Sequence, residues 1–107
     1  MTAMPQNQNG AGVIEKIMTL SQAEYAKSIS AFAGDEAGKV AATGAPVVVP
    51  VGSASATITF TKIQGFSFSG LIDMPRARVE IDLSAVSPAD SDAFLRQFDI
   101  AFQRGGG

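Results

Sequence analysis

The feature that most constrains the fold of this chain is a change in the spacing of its apolar residues. Between residues 45 and 83 apolar side chains recur at every second position, most clearly at Ala77, Val79, Ile81 and Leu83, which alternate with charged residues. This spacing is typical of strands with one buried face. The segments on either side have the spacing of amphipathic helices, so the chain combines a sheet with helices that can cover it.

Length and composition limit the chain to one domain. It has 107 residues, of which 46% are hydrophobic, enough for one packed core and too few for two. We expect a single α+β domain over residues 13–104, a disordered tail at 1–12 and a flexible glycine tail at 105–107. The predicted architecture is two-layered: a mostly antiparallel β-meander of about three to five strands, with an N-terminal and a C-terminal amphipathic helix packed on one face.

Both predicted helices begin at a capping signal. Ser21 and Glu24 have the spacing of a capping box, in which each side chain binds the backbone N–H of the other residue, and this helix runs to about residue 33. The second helix begins at Ser87-Pro88-Ala89-Asp90, which combines an N-cap, proline at the first helical position and an acidic third residue.

The remaining segments are assigned from their turn and strand residues. Residues 13–20 are predicted to be a first strand, although extension of the first helix stays open as an alternative. Residues 45–51 carry Pro46 and Pro50, and because proline cannot donate to a β-ladder, this segment is predicted to be an edge strand. Residues 35–44 are small and weakly patterned, which predicts a mobile loop with at most one helical turn.

Two further turns are predicted inside the alternating region. Gln64-Gly65 is typical of a tight hairpin turn, since glycine readily adopts positive φ. Asp73-Met74-Pro75-Arg76 is predicted to turn the chain again before the last strand.

The composition argues against several classes of function. The chain has no His, Cys or Trp, so it lacks the usual general base, the thiolate nucleophile and the preferred ligands of zinc and haem. We therefore predict no enzyme activity, no cofactor and no metal site. Its eight basic residues are scattered singly, which disfavours nucleic-acid binding. No stretch is long and apolar enough to span a bilayer, and we expect a soluble cytoplasmic protein.

The C-terminal helix carries more bulky apolar surface than so small a sheet requires. Phe94, Phe98 and Phe102 lie on one stripe, and the excess could complete the core of a partner subunit. We therefore predict a non-enzymatic protein-interaction or assembly subunit whose partner is a second copy of the chain or another protein, and of these two we favour the homo-oligomer. These three phenylalanines are its candidate interface.

An alternative function is a small carrier of apolar ligands. Its pocket would lie between the sheet and the helices, near Phe60, Phe68, Ile81 and Phe98. Separately, a row of hydroxyl side chains on the polar face of the sheet could bind a carbohydrate or another sheet. These residues are Thr57, Thr59, Thr61, Ser67 and Ser69.

A further alternative comes from a short resemblance. Residues 82–86 (Asp-Leu-Ser-Ala-Val) followed by Asp90-Ser91 resemble the phosphorylated strand-to-helix junction of STAS-domain anti-sigma-factor antagonists, over about ten residues. The resemblance implies a partner-switching domain regulated by phosphorylation of Ser91. The same residues also form an ordinary capped helix start, which is the interpretation we favour.

Overall fold

The structure is a computed structural model that describes residues 12–68, 70 and 72–105, and it confirms the predicted fold class. Four antiparallel strands form one sheet in the order β1-β4-β3-β2. The elements in chain order are β1 (Val13–Met18), α1 (Gln22–Ala33), α2 (Asp35–Thr43), β2 (Val47–Val51), β3 (Ala54–Phe68), β4 (Ile72–Asp82) and α3 (Pro88–Gly105).

The two predicted capping signals begin α1 and α3. Glu24 donates its backbone N–H to the Ser21 hydroxyl at 3.2 Å, and Ser21 donates its own N–H to the Glu24 carboxylate at 2.8 Å. At the start of α3 the Ser87 hydroxyl accepts from the backbone N–H of Asp90 at 3.2 Å. Each cap satisfies donors that a helix N-terminus would otherwise leave unpaired.

The core lies between one face of the sheet and the two capped helices. The fully buried residues include one side of β4 and residues from β3, α1 and α3. They are Ala77, Val79 and Ile81 of β4, Ile58 of β3, Tyr25 and Ile29 of α1, and Phe98 of α3. The opposite face of the sheet has no helix against it among the described residues. The predicted tails, residues 1–12 and 105–107, lie outside the described part of the chain except for their inner ends. There the carbonyl of Gly12 accepts from the N–H of Leu83, and Gly105 is the last residue of α3.

The predicted loop at 35–44 is wrong, because residues 35–43 form the nine-residue helix α2. Gly38 makes the close packing of α2 on α1 possible: a Cβ at this position would lie 2.7 Å from Cβ of Ser30 and 3.2 Å from the carbonyl oxygen of Ala26. Glycine has low helix propensity, and the contact that favours it here is tertiary.

Both predicted turns inside the alternating region are also wrong. Gln64 and Gly65 lie within β3, and residues 73–76 lie within β4. The ladder shifts between Ile63 and Phe66, where β3 has one more residue than β4, as in a β-bulge. A Cβ on Gly65 would clash with the Met74 carbonyl, so glycine allows the close approach of the strands. Pro75 is tolerated because it lies opposite this irregularity, where β1 does not extend.

Candidate protein interface at the β1 edge

Among the described residues, the outer edge of β1 has no strand paired with it, and its backbone hydrogen-bonding groups are available for pairing. Leu83 donates its N–H to the Gly12 carbonyl at 2.8 Å, which continues the antiparallel register of β1 on β4. Backbone groups in an antiparallel strand point to alternate sides, so the even-numbered residues of β1 bond to β4. The N–H and C=O groups of Val13, Glu15 and Ile17 therefore point away from the sheet, and no described strand pairs with them.

The side chains at these same positions are exposed on the uncovered face of the sheet. Val13 is 59% exposed and Ile17 is 49% exposed, so two large aliphatic residues lie exposed on one face of β1, on either side of Glu15. On the other face of β1, Ile14 and Met18 pack against the edge of the core. The β1 edge thus combines free backbone groups with apolar side chains, the two properties that favour addition of another strand.

Each face of β1 also carries one ion pair. On the uncovered face the Glu15 carboxylate accepts from Nε of Arg78 on β4 at 3.0 Å. On the helix side Nζ of Lys16 lies 3.4 Å from the Asp99 carboxylate on α3. All four side chains are partly exposed, so these pairs contribute little to folding stability. They do offset the charges of Glu15 and Lys16 at the free edge.

The opposite edge, formed by β2, is protected against pairing. β2 and β3 are joined by the two-residue turn Gly52-Ser53, and Gly52 has φ 62°, as primed hairpin turns require. In such a hairpin the closing pair, Val51 and Ala54, is hydrogen-bonded, so Val48 and Pro50 direct their backbone groups outward. Pro50 has no N–H to donate, which removes a donor from this edge.

A groove lies beside the end of β1. It is open to solvent, has a volume of about 560 Å³ between the strand and the C-terminal half of α3, and has both members of the Lys16–Asp99 ion pair in its lining. Its lining mixes apolar and polar residues: Lys16, Ile17, Met18, Thr19, Leu20, Asp99, Phe102 and Gln103.

The structure places the candidate phenylalanine interface inside the protein's own core. Phe94, Phe98 and Phe102 are all buried, and Phe98 stacks on Phe102 with ring centroids 4.1 Å apart. Phe32 of α1 packs edge-on against Phe94 and Phe98. The apolar surface of α3 that looked excessive is covered by α1, so little of it remains for a partner to contact.

The candidate pocket residues likewise belong to packed regions. Ile81 and Phe98 are fully buried, and the ring of Phe60 lies 4.6 Å from that of Tyr25. The side chain of Phe68 lies outside the described residues. Burial raises the pKa of Tyr25 to about 12, so its hydroxyl stays protonated at neutral pH.

The candidate phosphorylation site is not on the surface. The Ser91 side chain is fully buried in the first turns of α3, and its hydroxyl has no hydrogen-bond partner among the described residues. A kinase would have to open the start of α3 to reach it. Nearby, two hydrogen bonds from Ser84, one from its hydroxyl and one from its backbone N–H, lower the pKa of the Asp82 carboxyl, which is a feature of a local turn.

The predicted row of hydroxyl groups is interrupted by the β3 irregularity. Thr57, Thr59 and Thr61 share the uncovered face of the sheet with Arg78. The extra residue before Phe66 reverses the alternation, so Ser67 pairs with Asp73 on the other side, and Ser69 lies outside the described residues.

Comparison with known proteins gives this chain no relative: no protein-family model, curated protein or solved structure matches it. Within residues 12–68, 70 and 72–105, no three acidic residues come close enough to hold a metal ion. No helix in the same part of the chain has both the length and the apolar character needed to cross a membrane.

Sequence reasoning missed the β1 edge as a candidate site. The alternation of Val13, Glu15 and Ile17 is visible in the sequence, and it predicts a strand. Whether that strand is central or at an edge depends on the order β1-β4-β3-β2, which is set by contacts between distant segments. Prolines in the sequence identify β2 as an edge strand, but β1 has no proline and so carries no comparable local signal of its edge position.

Proposed function

We propose that this protein is a non-enzymatic interaction and assembly subunit that forms homo-oligomers through the free edge of β1. The observation that carries the proposal is the coincidence of outward-pointing backbone groups with the exposed side chains of Val13 and Ile17. Pairing of this edge with another strand would satisfy those backbone groups and bury the aliphatic side chains in one step. We take the cytoplasm as the place of assembly, which cell fractionation would test.

The contrast between the two sheet edges supports a closed assembly. Pro50 removes a donor from the β2 edge, so of the two edges of the described sheet only the β1 edge is open along its length. Two copies joined through β1 would leave only β2 edges at the ends of the combined sheet. Such an arrangement closes as a dimer with two-fold symmetry, whereas two open edges would allow a filament.

The test is the solution mass of Ile17→Lys, measured by light scattering across a hundredfold concentration range. Ile17 is exposed in the monomer, so the substitution should leave the fold intact. The substitution places a charge where the partner strand would pack. We therefore expect the dissociation constant of the dimer to rise by about tenfold or more.

Val48→Lys is the matched control. Val48 is a 62% exposed aliphatic residue on the uncovered face of the opposite edge strand. We expect this variant to associate like the wild-type protein. A wild-type protein that is monomeric throughout the range would overturn the proposal, as would equal weakening by the two substitutions.

The groove beside β1 favours a second candidate function, the small apolar-ligand carrier. Its volume of about 560 Å³ is within the range typical of ligand sites, and Met18, Leu20 and Phe102 supply apolar lining. This groove differs in position from the pocket predicted between sheet and helices. A carrier would be thermally stabilised by a medium-chain fatty acid at constant protein concentration, which self-association alone does not predict.

A further inference from the structure

We infer that the partner of β1 is β1 of a second copy, antiparallel and centred on Glu15. This inference rests on the proposed self-association and adds the register, and hence the residues that determine specificity. The occupant is a second copy because the exposed features of β1 complement themselves: an aliphatic residue lies on either side of a compensated charge.

The alternating direction of the backbone N–H and C=O groups limits how two β1 strands can pair. The outward-pointing groups belong to the odd-numbered residues, so each hydrogen-bonded pair across the interface must join two odd-numbered residues. A two-fold axis then passes beside one residue of β1. An axis at Ile14 or Ile17 aligns only part of the described strand, whereas an axis at Glu15 or Lys16 aligns nearly all of it.

The exposed side chains distinguish the two remaining registers. With the axis at Glu15, Val13 of each copy lies opposite Ile17 of the other, so the two most exposed aliphatic side chains of β1 cover each other. With the axis at Lys16, Ile17 lies opposite Glu15 instead. In that register Ile14 lies opposite Met18 on the helix side, but these two side chains already pack against the core. Only the first register covers the exposed aliphatic side chains of Val13 and Ile17 on both sides of the axis.

The spacing of the like charges at the axis also favours the Glu15 register. Two Glu15 residues would form a hydrogen-bonded pair with Cα atoms about 5.5 Å apart, and two Lys16 residues a non-hydrogen-bonded pair at about 4.5 Å. Each Glu15 carboxylate already lies 3.0 Å from Nε of Arg78 in its own copy. Arg78 offsets the Glu15 charge, although Glu80 lies directly opposite Glu15 on β4, and Asp99 offsets the Lys16 charge in the same way. The wider spacing of the two like charges, rather than their compensation, therefore favours the Glu15 axis.

The absence of cysteine from the chain allows a clean test of the register. Single substitutions I14C, E15C, K16C and I17C each put a thiol on the axis of one register, and V48C puts one on the opposite edge. Each variant is oxidised mildly at a protein concentration where the wild type is dimeric and again where it is monomeric. Pairs that lie on the axis are within the Cα distance that a disulfide can bridge.

We expect E15C to form the disulfide-linked dimer fastest, by about tenfold over K16C, and only at the higher concentration. Fastest crosslinking of I14C, K16C or I17C would overturn the Glu15 register while leaving association through β1 in place. Fastest crosslinking of V48C, or no concentration-dependent crosslinking in any variant, would overturn the inference. The light-scattering result then shows whether self-association itself has failed.

Discussion

The two edges of the sheet are built differently. At the odd-numbered positions of β1, N–H and C=O groups point outward with no partner strand in the described part of the chain, and Val13 and Ile17 are exposed beside them. β2 exposes Val48 in the same manner but has Pro50 at the next outward-pointing position. An exposed aliphatic residue is thus present at both edges, and the difference between them is the backbone donor.

The missing backbone donor at the β2 edge suggests how one small sheet could associate through β1 without growing into a fibre. Unpaired edges template the addition of further strands, and natural sheets commonly block them with proline, charge or covering elements. Here one edge is blocked and the other is open, with its charged residues held in ion pairs by Arg78 and Asp99. On this account the asymmetry between edges sets the size of the assembly.

The contrast between the two edges would be irrelevant to association if the C-terminal phenylalanines formed the interface. Phe98→Ala tests this possibility and has the largest expected effect. Phe98 is fully buried between α1 and the rest of α3, so removal of its ring should lower the free energy of unfolding by about 3–5 kcal/mol. Urea unfolding followed by circular dichroism would measure this loss. A variant that keeps its stability but becomes monomeric would place Phe98 in an interface and contradict the account.

Pro50→Val sharpens the comparison by opening the second edge. The substitution restores an outward-pointing N–H to β2 and adds β propensity, so the protein would have two edges able to pair. We expect its mass to grow beyond that of a dimer as concentration rises, measured by light scattering or sedimentation.

Val48→Ile is the control for Pro50→Val, because it enlarges an exposed side chain of the same edge without adding a donor. It should behave like the wild type. If both variants grow to the same extent, apolar surface rather than the backbone donor governs association at this edge.

Local sequence signals predicted much of the fold. The capping residues Ser21 and Ser87 fixed the starts of α1 and α3, and the alternation from Ala77 to Leu83 identified the buried face of β4. These signals work because caps and strand periodicity involve residues that are close in sequence. The prolines of residues 45–51 likewise identified β2 as an edge strand.

The errors all occur where a distant contact overrides a local preference. Gly38 weakens the helical pattern of α2, yet it is needed for the approach of α1. Gln64-Gly65 and Pro75 are typical turn residues, but here they face each other across one irregular step of the β3–β4 ladder. The candidate interface was missed for the same reason, since the edge position of β1 follows from the strand order.

Amide hydrogen exchange of β1, measured at low and high protein concentration, tests the central claim most directly. Amides of Ile14, Lys16 and Met18 bond to β4 and should be protected at both concentrations. We predict that amides of Val13, Glu15 and Ile17 exchange fast in the monomer and become protected as the dimer forms, while the amide of Val48 stays fast. If the mass doubles and these three amides remain unprotected, association uses another surface and the account is contradicted.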